Sequence, residues 1–216
     1  MSKFSILLLA FSILLFMACS NDDEGTQVPE EETNYFALTV GNSWTYKLYR
    51  FNNSVMEYEA QDLMITNSIV GTETINGETY FRYEATSQGA DECQICLDDL
   101  GNKSVRDSLG YLVDGTGVKR FTVANETPYL LFTSDVGSVF GEYNPAETTV
   151  ETPDGTVSNL DKNTYYLEMD DGTTAAGKDA NYYRDGEGLI VKEISTVSSP
   201  NPLYILTLTE STIAQN

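Results

Sequence analysis

Along most of the chain, apolar and polar residues change places at every second position. Trp44-Thr-Tyr46-Lys-Leu48-Tyr-Arg-Phe51 and Tyr204-Ile-Leu206-Thr-Leu208-Thr209 show this period of two most plainly, as expected of a sheet with one buried face. Asn52-Asn53, Asn76-Gly77, Gly101-Asn102, Asp114-Gly115, Asp154-Gly155, Asp171-Gly172 and Asp185-Gly186 punctuate the runs. Each pair can take the positive φ that tight hairpins require. The runs between them predict strands near 44–51, 55–65, 68–75, 78–86, 104–113, 117–124, 128–133, 147–152, 164–169, 181–184, 188–197 and 203–211. So many short strands at regular spacing predict an all-β domain, an antiparallel meander forming a barrel or a strongly curved sheet. Helix is scarce: one short helix is expected in the acidic stretch from Asp91 to Leu100, and Pro128, Pro145, Pro153, Pro200 and Pro202 fall at edges or connections.

The first residues break the alternation. Lys3 is followed by a predominantly apolar run from Phe4 to Phe16, and Ala18 precedes Cys19, the n-region, h-region and small residue of a signal peptide. The run is shorter than the roughly 20 apolar residues of a spanning helix. The segment resembles the bacterial lipobox, with Phe16 and Met17 where leucine and a small residue are more usual. That resemblance implies that residues 1–18 are a lipoprotein signal peptide and that Cys19 is the lipidated first residue of the mature chain. Two attached lipid groups bury many methylenes at about 0.8 kcal/mol each, enough for a lasting membrane anchor. Directly after Cys19, Ser20-Asn-Asp-Asp-Glu24 resembles the acidic export signal of Bacteroidetes surface lipoproteins, which implies the outer leaflet of the outer membrane. The other reading is a solvated acidic linker on a protein of the periplasmic face. Residues 19–34 hold too few apolar side chains to offset their ordering entropy and read as a lipidated acidic tether. Residues 35–216 then form a single β domain of a length that supports one core.

Charge removes one class of partner. The chain carries 12 basic and 33 acidic side chains, a net charge of −21, and loss of Lys3 with the signal peptide makes the mature form one unit more negative. Nucleic acid binding needs a basic footprint, so no nucleic acid partner is expected. With no histidine, Ser-His-Asp and Cys-His nucleophile systems are excluded, and neither a phosphate loop nor a dinucleotide fingerprint occurs. A glycosidase needs only two carboxylates, but 33 acids nominate no pair. Acids and glycines cluster in Asp170-Asp171-Gly172 and between Asp179 and Glu187. The second stretch has Tyr183 where a calcium ligand belongs, and a solvated turn is the simpler reading of both. The sequence assigns no catalytic residue, cofactor or metal. Cys93 and Cys96 have the spacing of a redox or metal motif, yet zinc would need four ligands and no βαβ pattern surrounds them. They either close a local disulfide, which an oxidising envelope permits, or stay free thiols.

Tyr35-Phe-Ala-Leu38-Thr-Val-Gly41-Asn42-Ser-Trp44-Thr-Tyr46 resembles the Gly-Asn-x-Trp-x-Tyr opening of a loose group of β-rich Bacteroidetes lipoproteins, with Ala37 where proline is frequent. Ile75-Asn-Gly-Glu-Thr-Tyr80 and Gly186-Glu-Gly188-Leu-Ile-Val-Lys-Glu193 fit the same group. Trp44, the only tryptophan, reads as a core plug on an alternating strand. Of the 14 tyrosines, the adjacent pairs Tyr165-Tyr166 and Tyr182-Tyr183 must send one ring to each sheet face. They are candidate ligand platforms, with ordinary strand propensity the plainer account. The resulting expectation is a non-catalytic binding or structural accessory at the cell surface. Its alternatives are a lipid or hydrophobic-ligand carrier of lipocalin-like or lipoprotein-carrier-like form, a glycan-binding accessory of polysaccharide uptake, and a carboxylate-pair glycosidase.

Overall fold

The computed structural model describes residues 34–125, 127–145 and 148–214. The expected signal peptide, Cys19, the Ser20–Glu24 run and the expected tether as far as Thr33 lie outside the described residues. Fourteen strands and one helix follow in order: β1 Ser43–Asn52, β2 Glu57–Ile75, β3 Glu78–Gly89, α1 Gln94–Leu100, β4 Lys103–Ser108, β5 Tyr111–Asp114, β6 Lys119–Thr122, β7 Tyr129–Ser134, β8 Gly137–Asn144, β9 Thr149–Thr152, β10 Gly155–Ser158, β11 Asp161–Met169, β12 Thr174–Arg184, β13 Gly188–Ile194 and β14 Tyr204–Thr212. Twelve of them form one antiparallel sheet in the order β6-β5-β4-β3-β2-β1-β14-β13-β12-β11-β8-β7, nearly closed into a barrel. The remaining two, β9 and β10, are a separate hairpin.

The meander expected from the alternation is present, but its punctuation differs. The runs near 55–65 and 68–75 are one strand of 19 residues, β2, because the polar pair Asn67-Ser68 is carried within the ladder, Asn67 pairing Trp44 on one side and Ala85 on the other. The run 104–113 is two strands. Leu109 and Gly110 take φ of 57° and 79°, a two-residue turn with both φ positive, and Asp107 Oδ1 accepts from the Gly110 N–H at 2.9 Å. A leucine in that region is uncommon, so the sequence does not advertise the turn. Strands β8 and β10 and the first half of β12 also go beyond the expected runs, their small and polar residues lacking an apolar period. The short helix lies inside the acidic stretch where it was expected.

Two apolar clusters follow from the two faces of the sheet. Inside the barrel lie Phe36, Trp44, Tyr46, Leu48, Ile65, Phe121 and Leu206, with Cys93, Cys96 and Leu100 of the α1 region. The second cluster gathers Tyr49, Tyr182, Ile190 and Ile205 against Val150 and Leu160, so the β9–β10 hairpin covers apolar side chains that the sheet turns away from its interior. That hairpin is tied down by a Tyr49 hydroxyl donating to Asp154 and by Arg184 Nη2 donating to Ser158 O at 3.1 Å.

The sheet fails to close by a backbone ladder between its two free edges, β6 and β7. Side chains of β11 make the join instead. Asn163 is fully buried and bonds both backbone groups of Thr122 on β6, while Tyr165 donates its hydroxyl to Arg120 O.

Candidate functional site

The Gly-Asn-x-Trp-x-Tyr segment builds one wall of the barrel interior. Gly41 takes φ +96°, a conformation open to glycine at little cost, and turns the chain into β1. Asn42 then ties three parts together: Nδ2 donates to Ala37 O at 2.7 Å and Oδ1 accepts from the Ala214 N–H at 2.8 Å. Two residues on, Trp44 Nε1 donates to Glu187 O at 2.6 Å, and the Tyr46 hydroxyl donates to Leu189 O at 2.9 Å. The segment Gly186–Leu189 is therefore the physical mate of Trp44 and Tyr46. Gly188 sits at φ +88°, a conformation that favours glycine, and a Cβ there would press on the indole of Trp44, 3.1 Å from Nε1.

Inside this wall lies a cavity of about 300 Å³, at the small end of the range for ligand sites. Phe36, Trp44, Tyr46, Tyr83, Leu112, Tyr183 and Leu189 supply its aromatic and apolar lining. The Trp44 and Tyr83 rings stack at 5.9 Å, and Phe36 meets Tyr183 edge-on at 5.9 Å. Charged groups line the rest: Lys103, Arg120, Lys192, Asp99 and Asp179. Gly188 and Lys192 both belong to β13, so at about 3.3 Å per residue the lining runs for roughly 13 Å along that strand. The cavity also reaches Phe132, which is 52% exposed, and Arg120, whose side chain is 40% exposed. These residues stand on β7 and β6, so the cavity meets solvent where the sheet lacks its ladder.

The charged lining is ordered by α1. Cys93 and Cys96 are joined by a disulfide across the start of the helix, their Cα atoms 5.2 Å apart, and both are buried in the interior cluster. The last turn presents Asp99, which forms an ion pair with Lys192 and lies 3.8 Å from Lys103 Nζ. Lys103 also donates to the Asp99 carbonyl. Lys192, only 6% exposed, donates to Asn181 Oδ1 at 2.7 Å. Burial opposes the Asp99 charge, but Lys192 and Lys103 outweigh it and hold the carboxyl at about 2. Burial, with Lys192 and Arg120 adding to it and Asp99 opposing, brings the Lys103 ammonium down to about 8. Asp179 is pushed up by burial, against the Ser195 N–H that donates to it at 2.6 Å and the charge of Lys192. Arg120 is clamped by Asp114, with Nε at 2.7 Å and Nη2 at 2.6 Å from Oδ2.

One polar group in the lining has no partner among the described residues. Asn67 is 5% exposed, and its Oδ1 is buried without a hydrogen bond.

Of the four candidate tyrosines, Tyr165 and Tyr183 line the cavity. Their neighbours face the other way. Tyr166 packs beside Phe140 at 5.9 Å with Lys178 Nζ 5.6 Å from its ring, and Tyr182 is buried in the second cluster. Asp171 forms a hydrogen-bonded turn, its Oδ1 accepting from the Thr173 N–H and hydroxyl at 2.9 and 2.6 Å. Among the described residues no group of three or more acids or cysteines is placed to hold a metal ion. The residues the sequence did not single out are Lys103, Arg120, Lys192, Asp99 and Asn67. Lys192 alone leaves a trace: it shares strand parity with Ile194, an inward residue of a largely apolar run.

No protein-family model matches the chain, and no curated protein is similar to it. Two solved structures are similar to it in fold. One, from Bacteroides fragilis NCTC 9343, is described as an exported protein with a YmcC-like fold; it has a TM-score of 0.45 and 13% identity, over 83% of this chain and 99% of the other. The second, described as a lipoprotein from Parabacteroides distasonis ATCC 8503, has a TM-score of 0.44 and 12% identity, over 82% of this chain and 99% of the other.

Proposed function

We propose that the protein is a lipoprotein anchored through Cys19 to the outer membrane and carried to the cell surface by its acidic leader, and that its barrel binds a small amphipathic molecule without converting it. The observation that carries the binding role is the cavity of about 300 Å³ with aromatic walls and a charged floor, reaching solvent between β6 and β7. Ligand sites combine an apolar lining with a few placed polar groups in this way.

Two measurements test the reading. Cys19→Ala should release the protein from the membrane fraction and end labelling by a fatty-acid probe, and continued acylation of the variant would remove the anchor. For the binding role, native mass spectrometry of protein taken from the cell envelope should find a bound small molecule, and Val139→Phe, which adds bulk to the lining, should abolish it. A chain that is empty by mass spectrometry and gives no Trp44 fluorescence response to single-chain amphiphiles would refute it.

A second reading rests on the outward row Leu130, Phe140, Tyr166 and Lys178, which are register partners across β7, β8, β11 and β12. Such a row suits a glycan-binding accessory of polysaccharide uptake. Loss of glycan-array binding in Phe140→Ala, with cavity binding intact, would favour it.

A further inference from the structure

We infer that the molecule taken into the barrel is an anion with a single apolar body, its carboxylate or phosphate head held by Lys103 beside Lys192 and Arg120, and its body laid against Trp44 and Tyr83. The inference rests on the reading of the barrel interior as the binding site and adds the charge and orientation of the occupant. Three cations, Lys103, Arg120 and Lys192, line the cavity with the carboxylates Asp99 and Asp179, and Asp114 pairs with Arg120 from behind, within a chain whose net charge is −21. The charged interior is therefore balanced, three cations against three carboxylates, while the molecule as a whole is strongly negative. An anion escapes inside the repulsion it meets over the outer surface and finds Lys103 to pair with, while a cation has little reason to leave that surface.

The pairing of these groups favours one of them as the contact. Arg120 is held by Asp114 through two nitrogens, and Lys192 is paired with Asp99 and with Asn181 Oδ1. Lys103 gives one donor to the Asp99 carbonyl and stands 3.8 Å from that carboxylate, and an ammonium has three donors. Its depressed proton affinity is set first by burial, with Asp99 and Asp114 opposing and Lys192 and Arg120 adding to it, so an anionic partner would offset the cost of holding that charge inside. A bound carboxylate or phosphate monoester would do so with charge-assisted hydrogen bonds. From Lys192 to Gly188 the lining then passes along β13 to the stacked rings of Trp44 and Tyr83, an apolar surface for the rest of the molecule. Along that surface Asn67 holds a buried acceptor that no donor among the described residues reaches, a further polar mark in a place where an all-apolar wall would be more stable.

The test uses the full chain carrying Cys19→Ala, so that its own acyl chains do not compete. Decanoate, decyl phosphate, methyl decanoate and decylammonium are titrated against Trp44 emission and by calorimetry. Decanoate or decyl phosphate should bind, and whichever is tighter identifies the head group. The ester and the amine should bind at least tenfold more weakly. Lys103→Gln should weaken the anion at least tenfold and leave the ester unchanged. In the unsubstituted site, anion affinity should fall between pH 7 and 10 as Lys103 loses its proton, a readout that stands even if Lys103→Gln folds poorly. An ester as tight as the acid, or an anion affinity indifferent to both pH and Lys103→Gln, would overturn the anion assignment and leave interior binding in place. Failure of every probe, charged or neutral, to bind would overturn both.

Discussion

The side chain of Asn163 on β11 pairs with both backbone groups of Thr122 on β6, accepting from the N–H at 3.1 Å and donating to the C=O at 2.7 Å. One amide thus performs the task of a strand backbone where β6 and β7 have no ladder. The same Oδ1 accepts the Tyr129 hydroxyl at 2.8 Å. Tyr129 lies flat over β8, where a Cβ on Gly141 would come 2.5 Å from the ring. The near-closure of the barrel is therefore a polar device set in its interior.

Asn163→Leu should expose the strength of that device. The substitution leaves the Thr122 N–H and C=O and the Tyr129 hydroxyl buried without their partner, each such group costing about 1–3 kcal/mol. A loss of at least about 3 kcal/mol is expected in urea denaturation. A loss below about 1 kcal/mol would mean that the β6 edge is held by apolar contacts alone.

Trp44 combines burial with a hydrogen bond across the barrel, being 2% exposed with Nε1 donating to Glu187 O. Trp44→Ala should cost about 3–5 kcal/mol, the usual range for a buried aromatic reduced to alanine. Emission of the intact protein should be blue-shifted and should move to the red on unfolding. Unchanged stability in the variant would show that the ring serves the ligand and not the fold.

Asn67 predicts the opposite sign. Its unpaired Oδ1 is a standing cost, and replacing an unsatisfied polar group by an apolar one of similar shape is neutral or stabilising. Asn67→Leu should leave stability unchanged or raise it by about 1 kcal/mol, measured by denaturation. A loss of more than about 1 kcal/mol would reveal a structural partner, such as an ordered water.

The alternation of Trp44, Tyr46 and Leu48 made the β architecture and its inward face legible, because a period of two is a local property that pairing preserves. The break at Leu109-Gly110 and the continuity through Asn67-Ser68 were not legible, since they depend on what the neighbouring strands present. The site was hidden for a related reason. Lys103, Arg120 and Lys192 come from three strands and Asp99 from a helix, so only the closure of the sheet assembles them. Gly188 and Trp44 stood out separately in the sequence, but the packing that would set a Cβ at position 188 only 3.1 Å from the indole nitrogen belongs to the fold. The tyrosine pairs show the limit of parity: it separates Tyr165 from Tyr166, while the burial of Tyr182 depends on a hairpin that packs over it.

The tyrosines of the interior should titrate late. Burial, the largest cause, raises Tyr46, Tyr83 and Tyr165 well above the ordinary tyrosine value. Their contribution to stability is whole below that value and is lost as pH rises toward the folded values. Ultraviolet titration should find a group of tyrosines that ionises only as the protein unfolds, above about pH 10. Smooth, reversible ionisation of all of them in the folded chain would show that the interior is open to solvent.

Lys103 gives a pH dependence of its own. Its ammonium is brought from 10.5 to about 8, so between those values the unfolded chain holds a proton there that the folded chain has lost. Stability from this site therefore rises with pH across that window, and at neutral pH the buried charge is destabilising. Lys103→Met removes the charge, so the variant should be the more stable form at pH 7. Its advantage should shrink by something on the order of 2 kcal/mol as pH approaches 10. Comparing the two proteins cancels the tyrosine contribution, which they share. At the acid end Asp99 acts the other way: its stabilisation is present above the ordinary carboxylate range and is lost as pH falls toward about 2, with Asp179, held up by burial, opposing it. Denaturant unfolding at pH 7, 8, 9 and 9.5 measures the difference directly. A gap between the two proteins that stays constant over that range would mean that Lys103 keeps its proton, and that its burial costs less than its position beside Lys192 and Arg120 implies.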